Sequence, residues 1–298
     1  MNIILSYCLF EPLVMHSHRT WDKNRMEPER YWYNLPSLLI MNDVLYPDFN
    51  TTFYISHSIQ YHPLFETLRH SGADIKVIDM NFDKTSEPML WRMLPYWDGV
   101  DCFFTRDIDS LPNRDEVKCT LEFVNNDEYH IQTIRSHENH YHEQGCDMLG
   151  GLSGFKPSKI PNIPNSFEEY YKSRSDLPWA QDQFLMSNAF MYSQTKEYLQ
   201  KHFLDCPIDN QSRPSAFACR TVDNLETIEL DKNQEQVLSM VEENRLSTWA
   251  GEPCDARGDF TRNLLDVDSD VARKLKDLFN ENEKLAEVNC QNTQVKKK

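Results

Sequence analysis

The stretch "FFTRDIDSLPNRDE", residues 103–116, places Asp107 and Asp109 on either side of one apolar residue, directly after an apolar run. On an extended backbone, side chains at i and i+2 share a face. The two carboxylates are therefore predicted to present oxygen donors to one hard cation. Mg²⁺ or Mn²⁺ suits such a pair, because both ions accept carboxylates together with phosphate oxygens of a substrate. An ion held there neutralises a diphosphate and stabilises it as a leaving group, a Lewis-acid role. A plain capped strand accounts for the same residues, since buried strands commonly end in turns that favour aspartate.

Three neighbouring features add to the metal reading. Arg106 abuts the pair and Arg92 precedes it in "LWRML", so positive charge for an anionic ligand is at hand. In "MLGGLSG" (148–154), Gly150 and Gly151 remove the side chains that would keep a flat or bulky ligand from the backbone; a β-bulge is the structural alternative. In "WAQDQF", Asp182 and Gln183 lie near a helix start, where the dipole favours negative charge. The histidines of "RSHENHYH" (His137, His140, His142) follow a strand signal but lack cysteine partners at zinc-site spacing.

These residues need a frame. "NIILSYCL", "TTFYISHS", "DIKVIDM" and "VDCFFT" read as strands, separated by the helix signals "PSLLIMNDVLY", "HPLFETLRHSG" and "PMLWRMLPYW". Within the second of these helices, Pro63 suits the first helical position and Gly72 the C-terminal cap. Such alternation predicts an α/β fold with a mainly parallel sheet and helices on both faces. "NRDEVKCTLEFV" carries a helical stripe at Val117, Leu121 and Val124, and Asn113 with Glu116 resembles a capping box. The aspartates thus fall between the carboxyl end of a strand and the start of a helix, where open α/β sheets bind ligands. "YHIQTI" and "CDMLGGLSGF" read as further strands and "PWAQDQFLMSNAFMY" as a helix begun by Pro178. Residues 1–265 are predicted to form the main domain and 266–298 an amphipathic helix with Val271, Leu275 and Leu278 on one side, followed by a disordered basic tail. That helix either packs on the domain or pairs with a second subunit.

Length and composition bound the function. At 298 residues, with 40% hydrophobic and 26% charged, the chain can bury a large core. A net charge of −16 argues against a nucleic-acid partner, which requires a basic face. It leaves room for a phosphorylated small substrate, because screening limits charge effects to about 8 Å at physiological salt. Eight scattered cysteines without a C-x-x-C pair predict reduced thiols and a cytoplasmic protein. No transmembrane segment or signal peptide is read from the sequence.

In this order the motifs resemble those of metal-dependent glycosyltransferases of the GT-A fold, in particular a bacterial and viral sugar-transfer group. The matching segments are "YWYN" (Tyr31, Asn34), "LYPDF", "MLWRMLPY", "FFTRDIDSLPNRDE", "YHIQTIRSH", "MLGGLSGF" and "DQFL", spanning roughly residues 1–190. The resemblance implies a Rossmann-like sheet and a nucleoside-diphosphate sugar as donor, with a glycan or other hydroxyl group as acceptor. It implies that Asp107 and Asp109 hold Mn²⁺ or Mg²⁺, and that Gly150 and Gly151 border the sugar pocket. Tyr31, Asn34, Arg92, Arg106 and His137 would line the donor site. Asp182 and Gln183 resemble the "DQ" that faces the donor sugar in retaining glycogenin-type enzymes; in an inverting reaction Asp182 is the candidate base for the acceptor hydroxyl.

Two departures stand out. Related groups often carry "GGMWG" where this chain has "GGLSG", and no histidine follows His202 to serve as a late third ligand. Water, Asp255 or Glu252 would take that place, or the ligand is absent. Two alternatives remain open at this level. A haloacid-dehalogenase-like phosphotransferase also ends an apolar strand in D-x-D, though it wants Thr or Val where this chain has Leu111. A catalytically inactive glycan- or partner-binding module of the same fold is the other.

Overall fold

The computed structural model describes residues 1–10, 29–79, 88–134, 148–160, 169, 183, 186, 190, 216–217, 220–221, 228–244 and 259–280. Its centre is the strand β1 (Ile3–Leu9), an almost uninterrupted apolar run buried on both sides. A strand covered on both faces needs no polar alternation, which is the pattern of a central parallel strand. Ile3, Leu5, Tyr7 and Leu9 point into one core cluster and Ile4 into another.

From β1 the chain winds outward through α1 (Glu29–Leu45), β2 (Asn50–Ser56), α2 (Pro63–Ser71) and β3 (Asp74–Ile78). It then returns across β1 by way of a 3₁₀ helix (Pro88–Tyr96) to β4 (Cys102–Arg106), α3 (Arg114–Asn125), β5 (Ile131–Thr133) and β6 (Leu152–Phe155). Two-residue strands β7 (Ala216–Phe217) and β8 (Arg220–Thr221) complete an eight-stranded sheet of order β3-β2-β1-β4-β6-β5-β7-β8. Its first four strands are parallel; β6 runs antiparallel to both β4 and β5. The result is an α/β fold with a mixed sheet, compatible with a Rossmann-like arrangement.

The two winding directions explain the layers. Right-handed crossovers leading away from β1 in opposite directions must lie on opposite faces of the sheet. Accordingly α1 and α2 pack on one face, through residues such as Leu38, Leu45, Phe65 and Leu68. The 3₁₀ helix packs on the other through Leu90, Trp91 and Met93. Local signals set the element ends. Pro63 opens α2 and Gly72 ends it at φ +114°, a left-handed cap that glycine adopts without strain. Asn113 caps α3, its side chain accepting from the Glu116 amide at 2.7 Å.

Three further helices close the larger cluster: α4 (Lys232–Asn244), α5 (Asp259–Leu264) and α6 (270–280). The sequence reading passed over α4. Its signal is a capping box: Asp231 Oδ1 accepts from the amides of Asn233 (2.7 Å) and Gln234 (2.9 Å), and Gln234 Oε1 accepts from the Asp231 amide (2.9 Å). Gln234 Nε2 also donates to the Leu45 carbonyl at 3.0 Å, serving the C-terminal end of α1.

The terminal helix starts at residue 270 rather than 266, because Ser269 is its cap. The Ser269 hydroxyl accepts from the Ala272 amide (3.1 Å) and donates to Asp43 on α1 (2.7 Å). Val271, Ala272 and Leu275 join the same cluster as β1 and Phe279 packs against it, whereas Leu278 of the expected stripe is half-buried outside it. The basic tail expected after it lies outside the described residues. Leu275→Ala should lower stability by about 2–5 kcal/mol in urea unfolding, as for other buried leucines; a loss below about 0.5 kcal/mol would mean the helix does not belong to this core.

Candidate functional site

β4 carries the aspartates to the sheet's edge of action. Phe103 and Phe104 alternate into the two clusters and the strand ends at Arg106. The backbone then turns: the Ser110 amide and hydroxyl both reach the Asp107 carbonyl at 3.4 Å. Ile108, 4% exposed, is drawn into the core and leaves Asp107 and Asp109 partly exposed on either side of it. The extended i, i+2 pair expected from sequence is thus a turn pinned by its apolar middle residue. β1 and β4 are neighbours from which the chain departs in opposite directions, so the turn lies beside the topological switch point, where α/β sheets form ligand crevices.

Three groups fix this turn. Asn34, fully buried in α1, donates from Nδ2 to the Ile108 carbonyl at 3.2 Å. Arg92, 1% exposed, places Nη1 2.6 Å from Asp107 Oδ1. Its own carbonyl accepts from the Ser6 hydroxyl at 2.8 Å, tying the 3₁₀ helix to β1. Gly151 supplies the third constraint. The antiparallel register pairs Arg106 with Leu152, so the next step sets Gly151 beside Asp107. A β-carbon on Gly151 would lie 2.0 Å from Asp107 Oδ2, a separation that atoms do not tolerate. Gly150 is buried next to it.

The two arginines part company. Arg106 lies inside the fold instead of beside the Asp107 carboxylate. Its Nε is 2.8 Å from Glu116 Oε1, Nη2 donates to Thr120 Oγ1 (2.9 Å), and Nη1 donates to the carbonyls of Thr105 (2.9 Å) and Ser153 (3.3 Å). Its guanidinium also stands 5.3 Å from the centre of the Phe104 ring. The reason is strand parity: Arg106 shares its face with Phe104, two residues back, and not with its neighbour Asp107. Glu116, taken from sequence as half of a capping box, is the partner that was missed.

Gln183 is helical and half-buried. Met186 and Phe190 farther along pack in the cluster that holds Trp91 and Met93, and the Phe190 ring lies 5.0 Å from that of Phe155. Asp182, His137, the side chain of Tyr31, Glu252 and Asp255 lie outside the described residues.

Nearby titratable groups are set by burial. The Tyr7 and Tyr46 phenols are pushed well above their ordinary range, chiefly by burial, and stay neutral. Burial pushes the Cys102 thiol up to about 12, leaving it a poor nucleophile.

Among the described residues no group of three or more His, Cys, Asp and Glu side chains converges to hold a metal. The donor chemistry of the turn nevertheless fits a hard cation. Two partly exposed carboxylates offer oxygen only, and Mg²⁺ or Mn²⁺ completes its shell with water and phosphate oxygens. A groove of about 310 Å³ opens at the amino-terminal ends of the strands, away from the turn, lined by Asn2, Thr52, Asp74, Lys76 and Asp98 among others. There Asp98 already accepts from Lys76 (2.7 Å) and Tyr54 (3.3 Å). No helix among the described residues is long and apolar enough to cross a membrane.

Removing one member of the Arg106–Glu116 pair leaves a buried charge alone, so Glu116→Ala should cost about 3–5 kcal/mol in urea unfolding. A loss below about 1 kcal/mol would show that the pair does not hold β4 to α3. Comparison with known proteins adds no name to this geometry: no protein-family model matches the chain, and no curated protein matches it.

Proposed function

We propose that the chain is a metal-dependent glycosyltransferase of the GT-A type, taking a nucleoside-diphosphate sugar and passing the sugar to a glycan or other hydroxyl acceptor. The observation that carries this reading is the Asp107–Ser110 turn. It offers two carboxylates at a topological switch point, with a buried arginine on one side and a glycine that leaves no room for a side chain on the other. The Rossmann-compatible sheet supports it further.

In this reading Asp107 and Asp109 supply the protein oxygens to Mn²⁺ or Mg²⁺. The ion, when bound, neutralises the charge that builds on the departing diphosphate. Asn34 keeps the turn from swinging by holding the Ile108 carbonyl. Gly151 gives room to the Asp107 carboxylate itself, with Gly150 buried beside it, and Arg92 adds a fixed positive charge for phosphate oxygens. Gln183 faces the donor sugar, and Asp182 stands beside it in sequence as the group that meets the sugar or takes the acceptor proton.

Thermal unfolding with Mn²⁺ or EDTA against UDP, GDP, ADP and CMP tests the proposal. A ligand at a hundred times its dissociation constant adds about 2.7 kcal/mol of stability. One nucleoside diphosphate should raise the melting temperature with Mn²⁺, and the rise should vanish with EDTA or in Asp109→Asn. No shift with any nucleotide would sink the reading, and a phosphoryl group trapped on Asp107 would replace it with phosphotransfer.

A further inference from the structure

The groove at the amino-terminal ends of the strands is built on one face of the sheet. Side chains two residues apart on a strand share a face. The pairing registers set Ile4 beside Asn50, Ser6 beside Thr52, Thr52 beside Asp74 and Tyr54 beside Lys76. This is the face that carries the 3₁₀ helix, since the Ser6 hydroxyl donates to the Arg92 carbonyl. The helix ends at Tyr96, and the turn after it supplies the facing wall through Asp98 and Val100. Two bonds tie that turn back to β1: the Asp101 amide donates to the Asn2 carbonyl (3.0 Å) and the Asn2 amide to Asp101 Oδ2 (2.6 Å). Main-chain pairing on both sides therefore fixes the shape of the groove.

Thr52 lines this groove at 1% exposure, and its Oγ1 has no hydrogen-bond partner among the described residues. Most buried hydroxyls are paired, and one left unpaired costs stability. The charges around it are mixed. Lys76 Nζ stands 2.7 Å from Asp98 Oδ2 and 4.0 Å from Asp74 Oδ2, and the Tyr54 hydroxyl also donates to Asp98 (3.3 Å). An anion here would face two carboxylates, and a cation would face the ammonium group. A neutral ligand with several hydroxyl groups avoids both penalties, because a hydroxyl donates to a carboxylate and accepts from an ammonium or another hydroxyl. Ile4 and Val100 add apolar surface for its C–H groups. About 310 Å³ is near the lower end of the range for ligand sites, about 300–1,000 Å³, which suits one ring.

We propose that this groove is a second binding site, taking one sugar ring as a neutral polyol, with Thr52 Oγ1 as the hydroxyl that the ligand satisfies. It lies at the other end of β4 from the Asp107 turn, roughly 20 Å away at about 3.3 Å per residue, and needs no metal. The inference stands on the groove and is independent of the proposed function.

Saturation-transfer NMR on the full chain tests it, with glucose, galactose, mannose and N-acetylglucosamine as probes and spermidine and inorganic phosphate as charged controls. At least one sugar should bind with a Kd below about 10 mM, both with EDTA and with excess Mn²⁺ and UDP. Thr52→Val should weaken that binding at least about threefold and raise the melting temperature of the free protein by about 2 °C, because it removes an unpaired hydroxyl. A hydroxyl with a purely structural part would lower the melting temperature on removal. A trisaccharide of the bound sugar distinguishes the source: binding more than about threefold tighter marks a unit of a glycan, and equal or weaker binding a free sugar. No signal from any sugar, a signal from spermidine or phosphate alone, or sugar binding undiminished in Thr52→Val overturns the proposal. Should Thr52→Val fail to fold, Asn50→Ala at the exposed rim decides, with unchanged sugar affinity as the adverse result. Sugar binding that depends on Thr52, in a protein that no nucleotide stabilises, would sink the proposed function and leave this site standing.

Discussion

The ion pair between Arg106 and Glu116 governs the geometry around it. A buried pair stabilises a fold only when good geometry and additional hydrogen bonds offset the cost of removing two charges from water. Arg106 meets that condition with bonds to Thr120 and to the carbonyls of Thr105 and Ser153. The pair joins the last residue of β4 to the first turn of α3, and every residue of the Asp turn lies between those two points. With both ends of the connection fixed, Ile108 enters the core and the two aspartates are left where solvent and ligand can reach them.

A division of labour between the two faces of the sheet follows. On the side of the larger cluster, the Arg106–Glu116 pair and the Asn34–Ile108 bond hold the shape of the turn. On the other side, Arg92 meets the Asp107 carboxylate, and Met186 and Phe190 pack in the cluster of its neighbours Trp91 and Met93. Two arginines that look alike in sequence thus stand in different settings: Arg106 pairs with the buried Glu116, and Arg92 with the partly exposed Asp107. The glycines divide in the same way. Gly154 gives space to the Phe104 ring, which its β-carbon would meet at 2.5 Å, while Gly151 gives space to Asp107.

Much of this was legible in the residues themselves. Unbroken apolar runs marked β1, β2 and β4, and Pro63 with Gly72 bounded α2 as read. The position of Asp107 at a strand's carboxyl end followed from the helix signal that comes after it. Arg106 adjoins Asp107 in sequence but not in space, because its two-residue spacing from Phe104 puts it on the core side of β4. The α4 helix escaped notice because its acidic, amide-rich surface hid the Val237, Leu238 and Val241 stripe behind the Asp231–Gln234 cap. The bonds from Asn34 to Ile108 and from Arg92 to Asp107 span 74 and 15 residues, and nothing local announces them.

The docking of α6 has a consequence for how the chain is made. Leu275 completes the same cluster that begins at Ile3. On the ribosome, at about 5–20 residues per second, roughly a quarter of a minute to a minute separates the emergence of these two residues. Throughout that interval the inner faces of β1 and α1 lack their final cover, so the nascent chain carries an exposed greasy surface until translation is nearly finished. Slow elongation late in the message prolongs the period in which an unfinished core can stick to another.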